Sequence, residues 1–276
     1  MTKRVQGILV FYWSTVGVLV FLIYRGFLEQ LVHAWLNDEE YSFGVLIPLI
    51  VAYLLWSRRK KILASEASTL RAGLVVILLG CSMQVLASWN GTLILSGLSF
   101  IATITGISAF LWGKKRSAIV SGPIALLILM VPLPSFVVGE FSWYLQSAAS
   151  SASGTLLGLL GVPVYQDGNL LRLPNYVLEV KQACSGSRSI LALLALACAL
   201  GIGMNSKYWV RCILVLIIPF LALSTNVIRI VGTGLIAWEW GNLAANESLH
   251  TIWGVAVFLI ALLGLLGMQN LLERTS

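Results

Sequence analysis

Charge is what this 276-residue sequence has least of: Asp, Glu, Lys and Arg together make up 11% of it. A soluble globular domain carries about 25%, so these charges are too few to cover a water-facing surface of this size. With 58% hydrophobic residues and a mean hydropathy of +0.91, the chain is expected to be a polytopic protein of the lipid bilayer. Histidine is nearly absent, with only His33 and His250, which limits the metal chemistry the chain can support. Of the four cysteines, Cys81, Cys198 and Cys212 fall inside apolar runs. No CxxC occurs, so neither a disulfide framework nor a zinc site is indicated. There is no internal repeat, and no pair of broken helices at matching positions of the two halves.

What the sequence does have is long apolar runs. The fold class expected is all-α integral membrane, about eight transmembrane helices in a single polytopic domain over 1–276. The expected spans are 7–27, 41–56, 72–89, 92–112, 118–138, 187–203, 208–238 and 252–272. No small-residue cleavage site follows the first run, which therefore reads as a span rather than a signal peptide. An acidic loop with Glu29, Asp38, Glu39 and Glu40 follows it, and Asn90-Gly91 is a tight turn between the third and fourth spans. Pro132 and Pro134 break the far end of the fifth. Residues 139–161, aromatic and then rich in Ser and Ala, read as an interfacial or re-entrant helix. The one extended region is 162–182. There Asp167-Gly168 predicts a β-hairpin turn, and Pro174-Asn175 a second turn before Val177-Leu178-Glu179-Val180.

The net charge of +7 at first suggests nucleic acid, but topology accounts for it. With eight spans, Lys3, Arg4, Arg58, Arg59, Lys60, Lys61, Arg71, Lys114, Lys115, Arg116, Lys207, Arg211 and Arg274 share the side of the N-terminus. These are thirteen of the eighteen basic residues, and nine of the eleven acids fall on the other side. The positive-inside rule then makes both termini cytoplasmic and puts 162–182, Cys184 and His250 at the outer face. The bilayer, not nucleic acid, is the expected partner.

Three polar residues stand out. Cys184, in Ala183-Cys184-Ser185-Gly186-Ser187-Arg188-Ser189, sits among polar neighbours at an expected helix start, where the dipole and unpaired amides favour a thiolate. The ordinary reading of a cysteine, a small core hydrophobe, fits the other three better. Arg188 lies one helical turn on, as a tuner of the thiol or an interfacial anchor, and Gly186 permits close approach of a substrate backbone. Arg229 lies inside an apolar run, where an arginine is costly unless paired or wet. It stands roughly 13 Å below the outer end of the run, and Asn226 shares its face. It is either functional or a snorkelling structural residue. His250 opens the last span; by itself it fits an interfacial histidine as well as a base. Cysteine with histidine is a minimal nucleophile and base, and a buried arginine suits a developing oxyanion.

In this order, Cys184-Ser185-Gly186-Ser187-Arg188-Ser189 opening a span, Asn226-Val227-Ile228-Arg229 and His250 resemble the exosortase/archaeosortase family. Val131-Pro132-Leu133-Pro134 is similar to its Pro-rich element, and Asp167 through Val180 to the stretch before its cysteine. Tyr41-Ser42-Phe43-Gly44-Val45-Leu46-Ile47-Pro48 resembles its early Ser-His-Gly-x-Leu-x-Pro element, with Phe43 where histidine is common. The resemblance covers roughly residues 38–254. It implies a membrane cysteine endopeptidase or transpeptidase of a prokaryotic plasma membrane, acting on membrane-anchored proteins with a C-terminal sorting signal. Such signals typically hold a short motif such as Pro-Glu-Pro, a transmembrane helix and a basic tail. It further implies Cys184 as nucleophile, Arg229 as stabiliser of the oxyanion or substrate, and His250 as general acid/base. Ser185, Gly186, Arg188 and Asn226 would support them, with no metal or organic cofactor and an acceptor the sequence does not specify. The rival readings are a serine-type intramembrane protease using Ser185 or Ser187 with His250, a lipid or anion transporter using Arg229, and a non-catalytic envelope scaffold.

Overall fold

The computed structural model describes residues 3–174, 176–180, 186–203, 207–241 and 247–274, with all their side chains except those of 3–13, 39, 247–251 and 273. Cys184 and Ser185 lie outside the described residues, as do Asn175 and residues 181–182 of the expected extended segment. Six described stretches are long and apolar enough to cross a bilayer: Ser14–Asn37, Glu40–Ser57, Ala72–Asn90, Leu93–Met130, Tyr208–Trp240 and Ile252–Leu272. Their outward faces carry large apolar side chains, such as Leu78, Leu216, Phe220 and Leu263, which water would not tolerate in such numbers and lipid does. The chain is a multi-pass helical membrane protein. It divides into two compact units, 1–132 and 133–276.

In the first unit, α1 (Lys3–Asn37) extends well past the expected end of the first span at residue 27. Tyr24, Phe27 and Leu31 carry a buried stripe onward at helical spacing. Glu29, expected in a loop, is helical, and Arg25 one turn earlier pairs with it at 2.7 Å. A short 3-10 turn, Glu39–Val45, capped by Asp38, leads into α2 (Leu46–Ser57) and α3 (Arg59–Ala64). Then α4 (Ala72–Asn90) and α5 (Leu93–Leu126) pack backbone to backbone. The buried residues of α4 are Gly73, Gly80 and Ala87, one every seven residues. A Cβ on Gly80 would lie 2.3 Å from Thr103 Oγ1 and one on Gly73 2.4 Å from the Phe110 amide nitrogen, so small residues set this contact. Tyr24 binds Ser99 and Thr103 at 2.7 Å each, and Ser99 donates to the Gly80 carbonyl, closing a buried polar network across α1, α4 and α5.

The turn expected between the fourth and fifth spans falls within α5, at Gly113 (φ 75°, ψ −178°). Ser108 and Ser117 hydroxyls lie 3.3 Å apart across it. Nine residues of straight helix would separate them by about 13 Å, so the chain reverses there. The second arm gives way to a 3-10 turn over Leu127–Met130, ending the fifth span before Pro132 rather than at 138. Pro123 within this arm offers no N–H to the Ile119 carbonyl; Arg58 Nη1 donates to that oxygen instead, at 3.0 Å.

In the second unit, residues 135–159 form one continuous helix, α6 (Ser135–Leu159). The expected interfacial segment is thus most of a packed helix. Its buried face is small, with Ser142, Ala149, Ser150, Ser153 and Gly154. The extended region is a three-stranded antiparallel sheet: β1 (Tyr165–Asp167), β2 (Leu170–Leu173) and β3 (Tyr176–Glu179), in that order. The hairpin turns at Gly168 as expected, and the Val177–Val180 run adds the third strand. α7 (Ser187–Gly203) matches the expected sixth span, although its 17 residues are fewer than the ~20 that span the hydrocarbon core. α8 (Tyr208–Trp240) and α9 (Glu247–Arg274) complete the unit. One core joins α7, α8 and α9 around Leu193, Leu214, Ile218 and Leu265. A second joins α6, the sheet and α8 around Leu157, Leu171, Val180, Val227 and Ile230. α8 belongs to both.

Candidate active site

Where the two cores meet on α8, the chain places a polar pair. Asn226 is buried, at 4% exposure, and Arg229, three residues on, is half-buried. Arg229 Nη2 donates to Asn226 Oδ1 at 2.7 Å. An arginine at this depth needs acceptors, and the i, i+3 spacing of the helix supplies one without recruiting another element.

Two other elements close on this pair. Gly186 immediately precedes α7, with its carbonyl accepting the Ile190 N–H at 3.0 Å. Its φ is +89°, a conformation that strains any residue with a Cβ, and a Cβ there would lie 3.5 Å from that of Asn226. Ser187 is buried behind it and Arg188 is exposed. From the other side comes α9. The Trp253 indole donates to the Arg229 carbonyl at 3.2 Å, and Thr233 Oγ1 donates to the same oxygen at 2.9 Å. The indole lies against Gly232, where a Cβ would come within 2.6 Å of the ring. Gly254 faces the guanidinium, its built Cβ 3.9 Å from Arg229 Nη1.

Of the residues expected from sequence, Gly186, Asn226 and Arg229 are therefore together. Cys184 and Ser185 lie outside the described residues, and so does the side chain of His250, whose backbone belongs to the first turn of α9. Cys81, Cys198 and Cys212 each lie within a helix and are free thiols. Sequence reasoning missed two residues. One is Trp253, whose signal was a bulky indole beside a glycine, one turn after His250. The other is Gln146, a lone amide in the small, aromatic-flanked α6; its side chain donates to the Val180 carbonyl and ties α6 to the end of β3.

A bilayer-spanning helical unit that gathers an arginine, its amide partner and two glycine-lined approaches beneath a small sheet has the makings of a membrane-embedded processing site. A family model described as transmembrane exosortase matches residues 35–267, most of the chain, and the protein belongs to that family. Membership carries the family's general role, the processing of proteins that bear sorting signals. No curated protein and no solved structure matches the chain.

Proposed function

We propose that the chain cleaves a C-terminal sorting signal close to its membrane anchor, with Cys184 as nucleophile, His250 as general acid/base and Arg229 stabilising the oxyanion. The observation that supports this is convergence on Arg229. Gly186, packed on the amide that holds the guanidinium, follows Cys184 by two residues, a reach of at most about 7 Å of chain. Gly254, beside the guanidinium, follows His250 by four residues, one turn along the same helix face.

In the reaction, His250 accepts the thiol proton. The Cys184 sulfur forms a bond to the scissile carbonyl carbon, and the oxygen becomes an oxyanion facing the Arg229 guanidinium. The C–N bond then breaks and the departing amine takes the proton from the imidazolium, leaving a thioester. Water or an amine attacks the thioester, gives its proton to His250, and the C–S bond breaks to restore the thiolate. Asn226 keeps the guanidinium in place by accepting one of its five N–H groups. Both termini are cytoplasmic in this reading and the thiol faces the outer side, in keeping with the placement of the basic residues.

The test is a trapped acyl-enzyme. A membrane-anchored reporter ending in a Pro-Glu-Pro motif, a transmembrane helix and a basic tail is incubated with the native chain and quenched in acid before the thioester turns over. A thioester-linked adduct at Cys184, labile to hydroxylamine, is expected. Processing that survives Cys184→Ala but is lost in Ser187→Ala refutes the cysteine mechanism.

A further inference from the structure

We infer that the outer edge of β3 is a docking strand for the substrate, which binds as an added strand of extended peptide before its carbonyl reaches the thiol; this rests on the reading above. The hydrogen-bond phase of the sheet carries the argument. Val180 N–H donates to the Asn169 carbonyl at 3.0 Å, one step beyond the Leu170–Glu179 pair of the β2–β3 register. Antiparallel pairs alternate between hydrogen-bonded and non-hydrogen-bonded. The pairs Leu178–Leu171 and Tyr176–Leu173 therefore bond inward, and the N–H and C=O of Val177 and Glu179 point away from β2. No described residue bonds to either across that edge.

The other edge is different. By the same phase β1 turns only Gln166 outward, in a strand of three residues that Pro163 closely precedes. β3 thus offers two donors and two acceptors in strand spacing, the pattern that an extended polypeptide completes by β-augmentation. Glu179 stands five residues before Cys184, a reach of at most about 18 Å of chain, so a strand laid there is within range of the nucleophile. Gln146, by holding the Val180 carbonyl, anchors the end of β3.

Proline gives the test its specificity. At Val177 or Glu179 it removes an outward N–H and spares the ladder, because those groups make no bond to β2. The full chain in membranes is assayed on the reporter described above, alongside alkylation of Cys184 by N-ethylmaleimide. Val177→Pro and Glu179→Pro are each expected to weaken processing about tenfold, seen as a higher half-saturating reporter concentration. Val177→Ala and Glu179→Gln should stay within about twofold of the native chain, and maleimide should react at an unchanged rate in all four. Native-rate processing by both proline variants overturns the docking strand while leaving the cysteine mechanism standing. Processing by Cys184→Ala overturns the mechanism instead. A photo-crosslinking side chain at Val177 decides the matter should proline disturb the fold. Capture of the reporter segment flanking its cleavage site supports the inference; capture only of a second copy of this chain, or of lipid, overturns it.

Discussion

Replacing Asn226 with alanine tests the site at its hydrogen bond to the guanidinium. Asn226 is buried and accepts from Arg229 Nη2 at 2.7 Å, so Asn226→Ala removes an acceptor from a cation within a span. A hydrogen bond to a charged group contributes about 1.5–3 kcal/mol. If the guanidinium must be aimed only as the oxyanion forms, all of that appears in the barrier, and processing should slow by about 10- to 150-fold. Asn226→Asp keeps an acceptor and should recover most of the rate. The assay is single-turnover cleavage of the reporter, with thermal unfolding in detergent as the control for stability. The double variant Asn226→Ala/Arg229→Ala discriminates further, because a residue that acts through Arg229 adds nothing once Arg229 is gone. It should be no slower than Arg229→Ala alone. Multiplication of the two losses, or an Asn226→Ala rate within twofold of native, would refute the idea that Asn226 positions the guanidinium.

Three more outcomes follow from the same structure. Arg58→Ala should lower stability by about 1–3 kcal/mol by leaving the Ile119 carbonyl without its donor, and adding Pro123→Ala, which restores a helical N–H, should return part of the loss in thermal unfolding. Gly232→Val puts a Cβ where the Trp253 ring lies 2.6 Å away; about 1–3 kcal/mol of destabilisation and a shifted tryptophan emission are expected, and unchanged emission would contradict the contact. His250→Gln should cut turnover by about 10²- to 10⁴-fold and abolish the acid-side fall in kcat/KM expected of a native chain whose imidazole must be neutral to act as the base. Persistence of that acid limb in the variant would assign the base elsewhere.

The apolar helices were legible because lipid demands long uninterrupted runs, and 187–203 matched to the residue. Boundaries failed where a charge was mistaken for an end and where a span was carried past Pro132. Glu29 pairs with Arg25 within a turn of α1, which continues to Asn37. The serines and alanines of α6 form a packing face, since small residues let helices approach closely. In the site, Asn226 with Arg229 was visible as a helical i, i+3 pair. The contacts of Gly186 with Asn226 and of Trp253 with the Arg229 carbonyl join residues 40 and 24 positions apart (226−186 and 253−229). No local periodicity encodes such pairings; they exist only once α7, α8 and α9 have packed.

The indole seated on Gly232 also sets how α8 and α9 can move. Sliding one helix past the other by a turn would carry Trp253 from the glycine notch onto Ile228 or Ile236, where a branched side chain fills the space the ring needs. The pair therefore has a single register rather than a continuum of offsets. The hydrogen bond to the Arg229 carbonyl is satisfied only in that register. The wall carrying the guanidinium is thereby pinned in one place, and on the function proposed above any movement that admits a substrate falls to the other elements of the unit.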